Sequence, residues 1–128
     1  MLLTLALHLA AQAPTLLPLT EADLNRTHET GCAFSFARAN QTLLQAIGRD
    51  LMLRTSQGFD LCRFDQTTLD AFTGGTRALN CGGRTLRLRK TGATQSFPES
   101  DSAGWPASLT VTTGKASRTL RGDAGVAC

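Results

Sequence analysis

The sequence has no tyrosine, one tryptophan and two histidines in 128 residues. So thin a supply of imidazole and phenol argues against an enzyme, because histidine is the commonest side chain for general acid–base work near neutral pH. Several motifs are missing as well. There is no Gly-x-Ser-x-Gly nucleophile elbow, no Gly-x-Gly-x-x-Gly dinucleotide fingerprint and no Gly-x-x-x-x-Gly-Lys-Ser/Thr phosphate loop. No Cys-x-x-Cys occurs, which weakens redox and structural-zinc readings together. No cofactor and no metal is implied. Charge is scarce too: 18% of residues are charged and the formal net charge is +3. That excludes a charged disordered tail, and it is too small a surplus to argue for nucleic acid. The length is that of one domain.

What is present begins with a short apolar run. Met1–Ala13, MLLTLALHLAAQA, contains no Asp, Glu, Lys or Arg. It falls short of the ~20 residues needed to span a bilayer and fits a secretory signal peptide, with Ala11-Gln12-Ala13 as the small-residue cleavage pattern. Pro14 disfavours a cut directly after Ala13, so Ala11 is an alternative end. Pro14 and Pro18 also oppose a buried helix running onward. The expected organisation is a signal peptide over 1–13, an extension with a short helix over 14–30, and a single β-rich domain over 31–128. The expected location is periplasmic or secreted, with no transmembrane segment in the mature chain.

Cys32, Cys62, Cys81 and Cys128 all lie beyond that leader. An even number of widely spaced cysteines in an exported chain reads as two disulfides. Three connectivities are possible from sequence; nested closure favours Cys62–Cys81 inside Cys32–Cys128. In the chain-entropy model each bridge contributes about 3–5 kcal/mol.

Thr20-Glu21-Ala22-Asp23 has the form of a capping box and predicts a helix over 20–29, ending at Gly31. Beyond it the periodicity changes to two. Cys32, Phe34 and Phe36 alternate along a strand, Arg38–Gln41 turns, and strands follow over 42–47, 51–55 and 59–64. Asp65 caps a brief helix through Phe72, closed by Gly74. After a turn at 80–83 come a strand over 84–90, a long loop over 91–106, and a hairpin over 107–113 and 116–122. The expected fold is mainly β: a small antiparallel barrel or sandwich with one or two short helices, stapled by disulfides.

Arg84–Lys90 carries the clearest charge signal. Leu86 and Leu88 share one strand face, so Arg87 and Arg89 point to the other. Across a hairpin, Arg118 and Arg121 are expected to join them in a basic stripe suited to an anionic partner. Its plain alternative is a solvated outer face whose arginines guard against aggregation. Trp105 in the long loop is either an interface anchor or a lid on the β core.

Other candidates are weaker. His28, the one histidine of the mature chain, falls at a helix end, and His28-Glu29 fails as His-Glu-x-x-His because Cys32 takes the last place. Gly74-Gly75 and Gly82-Gly83 suit turns better than phosphate cradles. Asp65, Asp70, Glu99 and Asp101 are loop carboxylates of a kind any small domain contains, and Asp60 and Asp65 lack calcium-loop spacing. Arg121-Gly122-Asp123 spells an adhesion tripeptide, a match short enough to arise by chance. Asn25-Arg26-Thr27 and Asn40-Gln41-Thr42 are glycosylation sequons.

Gly31-Cys32-Ala33-Phe34, Pro106-Ala107-Ser108-Leu109-Thr110-Val111 and the terminal Cys128 make the layout resemble small exported bacterial β-proteins of uncharacterised function. That likeness brings no activity. The architecture is similar to that of periplasmic lysozyme inhibitors, a similarity that assigns no residue here. The expectation is a non-enzymatic binding module for an unknown protein or anionic envelope component, with Arg87, Arg89, Arg118, Arg121 and Trp105 as its surface. A small envelope hydrolase or hydrolase inhibitor using His28 or a carboxylate is the alternative.

Overall fold

The computed structural model describes residues 15–128, so the expected signal peptide over 1–13 lies outside the described residues. Alternation of apolar and polar side chains builds one curled antiparallel sheet, a half-barrel with its apolar face inward. Its strands are β1 (Leu16–Leu17), β2 (Ala33–Arg38), β3 (Gln41–Ile47), β4 (Asp50–Thr55), β5 (Gly58–Arg63), β6 (Leu79–Cys81), β7 (Arg84–Lys90), β8 (Gln95–Phe97), β9 (Ser102–Thr113) and β10 (Ala116–Ala127). From one edge to the other they run β5-β4-β3-β2-β10-β9-β7-β6, with β1 beside β4 and β8 beside β9. Paired residues share a face, so Phe34, Phe36, Leu44, Leu53, Leu88, Leu109, Val111 and Leu120 all point inward and are buried. A β-bulge opposite Phe36/Ala37 leaves Leu43 outside the ladder, so Leu43 and Leu44 are buried in succession.

Helix α2 (Gln66–Thr73) links the two edge strands β5 and β6 and drops Leu69 and Phe72 into the concave side. Phe72 meets Phe34 edge-on, with ring centroids 6.5 Å apart. The helix begins as expected, with the Asp65 carboxylate accepting from the Thr68 amide; hydrogen bonding to Thr68, by its side chain and then its amide, holds the Asp65 pKa below its ordinary value. It ends at Gly74, and the left-handed residue is Gly75, at φ 80°.

The disulfides are Cys32–Cys128 and Cys62–Cys81, the nested pairing. They do different jobs. Cys32–Cys128 clips the ends of β2 and β10, which already pair through Ala33↔Ala127. Cys62–Cys81 joins β5 to β6, the two sheet edges. Beside it lies Arg84, a buried cation, which donates to the Asp60 carboxylate at 2.7 Å, the Thr55 hydroxyl at 3.0 Å, the Gln57 amide oxygen at 3.1 Å and the Gly82 carbonyl at 3.2 Å. Four acceptors offset much of the cost of desolvating the guanidinium.

After β1, which places Leu16 in the core beside Thr55, residues 20–30 form a strap across the outer face of β3–β5. Helix α1 (Glu21–Leu24) has the expected capping box between Thr20 and Asp23 but is shorter than the 20–29 span that the sequence suggests. Asp23 is drawn to Arg54, at 2.6 and 2.7 Å, and the Thr27 hydroxyl donates to Asp50 at 2.7 Å, which pulls the chain off the helical path. Met52 stands between Asp50 and Arg54 on this outer face and is fully buried beneath the strap.

The expected loop over 91–106 is the main correction. Residues 95–97 form β8, and β9 already begins at Ser102, taking Trp105 and Pro106 into a strand. Pro106 is tolerated there because it faces the gap between the β7 ladder, which ends at Lys90↔Ala107, and the β8 ladder, which begins at Gln95↔Gly104. Strand β10 also runs on past Gly122 to Ala127 along the whole of β9.

Two outcomes follow. Asp60→Ala strands the Arg84 charge, whose side chain is 6% exposed, whereas Arg84→Met strands only a carboxylate that is 33% exposed. Urea unfolding should therefore show Asp60→Ala costing about 3 kcal/mol and Arg84→Met clearly less. The Arg54 hydrogen bond holds the Asp23 carboxyl well below the usual carboxylate range, against the opposing effect of burial. A depressed folded-state pKa adds stability that is complete above the unfolded value of about 4 and fades as pH falls below it. Asp23→Ala should thus lower Tm at pH 7 and lose that deficit progressively in melts below pH 4.

Candidate functional site

The other outer wall of the half-barrel, formed by β7, β9 and β10, has no strap. Its three rows are fixed by register: Thr85–Thr112–Ser117, Arg87–Thr110–Thr119 and Arg89–Ser108–Arg121. All point away from the core, because the intervening positions carry Leu86, Leu88, Leu109, Val111 and Leu120 inward. Hydroxyls bridge β9 and β10 between Thr110 and Thr119 at 2.9 Å and between Thr112 and Ser117 at 3.1 Å. This is a short polar ladder that orders the surface without using the arginines.

Arg87, Arg89 and Arg121 are exposed, and among the described residues none lies within salt-bridge distance of a carboxylate. Arg89, Ser108, Thr119 and Arg121 line a shallow basin of about 590 Å³, with Thr91 and Pro106 at its rim. An unpaired guanidinium keeps its full set of donors for a ligand and offers a planar fork to a carboxylate or phosphate.

Compared with protein-family models, with curated proteins and with solved structures, the chain shows no significant match. The site therefore rests on its own geometry.

That geometry brings together three of the five residues singled out in the sequence. Arg118 pairs with the buried Val111 and so belongs to the inner face; it emerges beyond the core, where it donates to the Thr15 hydroxyl at 3.0 Å. The reason is that Arg118 and Arg121 are three positions apart, an odd number, so they project from opposite faces of one strand. Trp105 also faces inward. It is half-buried against Phe34, with ring centroids 6.2 Å apart, and the Lys90 ammonium lies 6.0 Å from its centroid. Trp105 thus caps the core end, its ring on the face opposite that of Arg87, Arg89 and Arg121.

The remaining candidates separate by the same test. His28 is exposed, with no hydrogen bond among the described residues. No group of three or more His, Cys, Asp or Glu side chains among the described residues is placed to hold a metal ion. Asp70 is taken by Gln66 at 3.0 Å and Asp65 by its helix cap. Gly122 sits in mid-strand, where an added Cβ would come within 2.3 Å of the Ala37 carbonyl and 2.9 Å of the Phe36 ring. Its glycine is a packing requirement, and the adhesion tripeptide is a strand rather than a displayed loop.

Reading the sequence for charge missed the hydroxyl ladder and the stretch around Gln95 and Phe97. The first was visible as Thr and Ser alternating with Leu and Val over 108–112 and 117–120. The second was hidden by Pro98 and Pro106, which imitate a loop.

Proposed function

We propose that the protein is an exported, non-enzymatic binding module whose bare β7–β9–β10 wall holds an anionic partner through Arg87, Arg89 and Arg121. The observation that carries this reading is the set of three exposed arginines on one face with no carboxylate partner among the described residues. On the strapped wall Arg54 and Arg63 are ion-paired, as are Arg49 in the turn between β3 and β4 and the buried Arg84; Arg38, at the end of β2, is exposed and unpaired among the described residues. Arginines left unpaired beside an ordered hydroxyl surface are available for an incoming carboxylate, sulfate or phosphate group.

Export is supported by the leader-like Met1–Ala13 and by two disulfides, which are consistent with an oxidising extracellular compartment. Among the described residues no helix is long and apolar enough to cross a membrane. The partner on this reading is an anionic component of the envelope or its surroundings.

Binding of dextran sulfate by the mature protein tests the reading. Arg87→Ala with Arg89→Ala should weaken it about tenfold at low salt and flatten its salt dependence. Arg118→Ala, on the opposite face, should leave both quantities unchanged. Equal loss in the Arg118 variant, or no loss in the double variant, overturns the assignment of this wall.

A further inference from the structure

We propose that the bare wall is a groove for an acidic oligosaccharide, an inference that rests on the anion reading above and names its ligand class. The basin around Arg89 and Arg121 is bounded by Pro106, an exposed ring on the same wall. On the far side of that ring a second depression, of about 380 Å³, is lined by Gln95, Phe97, Gly104, Pro106 and Asp123, among others. The ladder makes the two consecutive. Phe97 pairs with Ser102, Gln95 with Gly104, Asp123 with Pro106, and Arg89 and Arg121 both with Ser108. Same-face rows are about 7 Å apart, so the path from Phe97 to Arg89 measures about 20 Å.

Within the second depression Gly104 pairs with Gly125, so β9 and β10 put no side chain on the outer face in that row; Trp105 and Ala124 also contribute to the lining. One wall is Phe97, at 45% exposure the most exposed large hydrophobic among the described residues. Pro106 supplies a second apolar ring. Between them stand the Gln95 amide and the Asp123 carboxylate, both exposed, the latter without an ion-pair partner among the described residues.

This mixture discriminates between ligand classes. A purely apolar ligand would cover Gln95 and Asp123 without satisfying them, at a cost in free energy. A ringless polyanion has no use for Phe97 and Pro106, and it is repelled by Asp123. A pyranose has C–H faces for the two apolar rings and a rim of hydroxyls that donate to the carboxylate and the amide oxygen. Its acidic substituents, one row further along, meet the guanidinium forks of Arg89 and Arg121. The groove therefore has a neutral-sugar end at Phe97 and an acid end at Arg89.

Calorimetric titration of the mature protein with a hexasaccharide of alternating neutral and uronic-acid sugars (a hyaluronan hexasaccharide), and separately with polyphosphate of matched charge, tests this. Gly104→Leu fills the floor, and the fold has room for it, since a Cβ there meets only the Ala124 carbonyl, at 3.5 Å. Phe97→Ala removes the wall at an exposed position, where folding is not at stake. Each should weaken the alternating hexasaccharide about tenfold and change polyphosphate by less than about twofold, while Arg89→Ala with Arg121→Ala weakens both. If the alternating hexasaccharide fails to bind at millimolar concentration, or binds equally well to the Phe97 and Gly104 variants, the saccharide proposal falls. The anion reading then stands only where polyphosphate binding is still lost in the arginine variant. Binding of both probes unaffected by the arginine variant, or of neither to the wild type, overturns both.

Discussion

Everything in this fold depends on holding together two sheet edges that share no hydrogen-bonded ladder. A curled sheet of this length presents β5 at one end and β6 at the other. Left apart, they would expose unpaired strand edges and open the concave core to water. The chain brings them together with a covalent bond, Cys62–Cys81, and with the buried Arg84, which gathers acceptors from β4, from the turn after it, from β5 and from the turn before β7. Helix α2 then fills the concavity with Leu69 and Phe72. A buried cation is a poor source of stability by itself. Here its directional donors set how far the sheet must curl, which an apolar side chain would leave loose.

With the curl fixed, the two outer walls acquire different fates. The strap covers β3–β5, and every strand arginine beneath or beside it is matched: Arg54 with Asp23, Arg63 with Asp50 and Glu29, and Arg49 with Glu29. Those pairs bury Met52 and tie the N-terminal segment to the sheet. The β7–β9–β10 wall uses the same residue type without pairing it to a carboxylate and has a hydroxyl ladder in place of ion pairs. Solvated guard residues alone would account for arginines on an exposed strand. They would not account for a basin beside Arg89 and Arg121 followed, beyond Pro106, by a second depression lined by Gly104 and an exposed Phe97.

Much of the fold was legible in the sequence where periodicity was clean. Phe34 and Phe36, Leu86 and Leu88, and the capping residues Thr20 and Asp65 announced their elements through local spacing alone. The nested disulfide pairing also followed from simple closure. What could not be read was set by tertiary partners. Helix α1 stops early because Asp23 and Thr27 are claimed by residues more than twenty positions away. Strand β9 starts before its prolines suggest because β10 runs the whole of its length and makes a ladder that Pro106 does not interrupt. Half of the site suffered likewise. Arg87 and Arg89 were fixed by their own strand, whereas the exclusion of Arg118 and the inclusion of Phe97 required knowing the register of the neighbours.

That register is enforced from inside the core. Gly122 must face inward, since any side chain there would strike the Ala37 carbonyl and the Phe36 ring. With Gly122 inward, Arg121 and Asp123 are both forced outward, one row apart, opposite Ser108 and Pro106. A one-residue slip of β10 would send both charges into the core and turn the groove's polar side chains away from it. The sequence of a cation, then a carboxylate, then an aromatic wall along the groove is therefore a by-product of packing against Phe36. A site held this way keeps its charge order for as long as the core keeps its shape, and it does so without any bond between the groups that would meet a ligand.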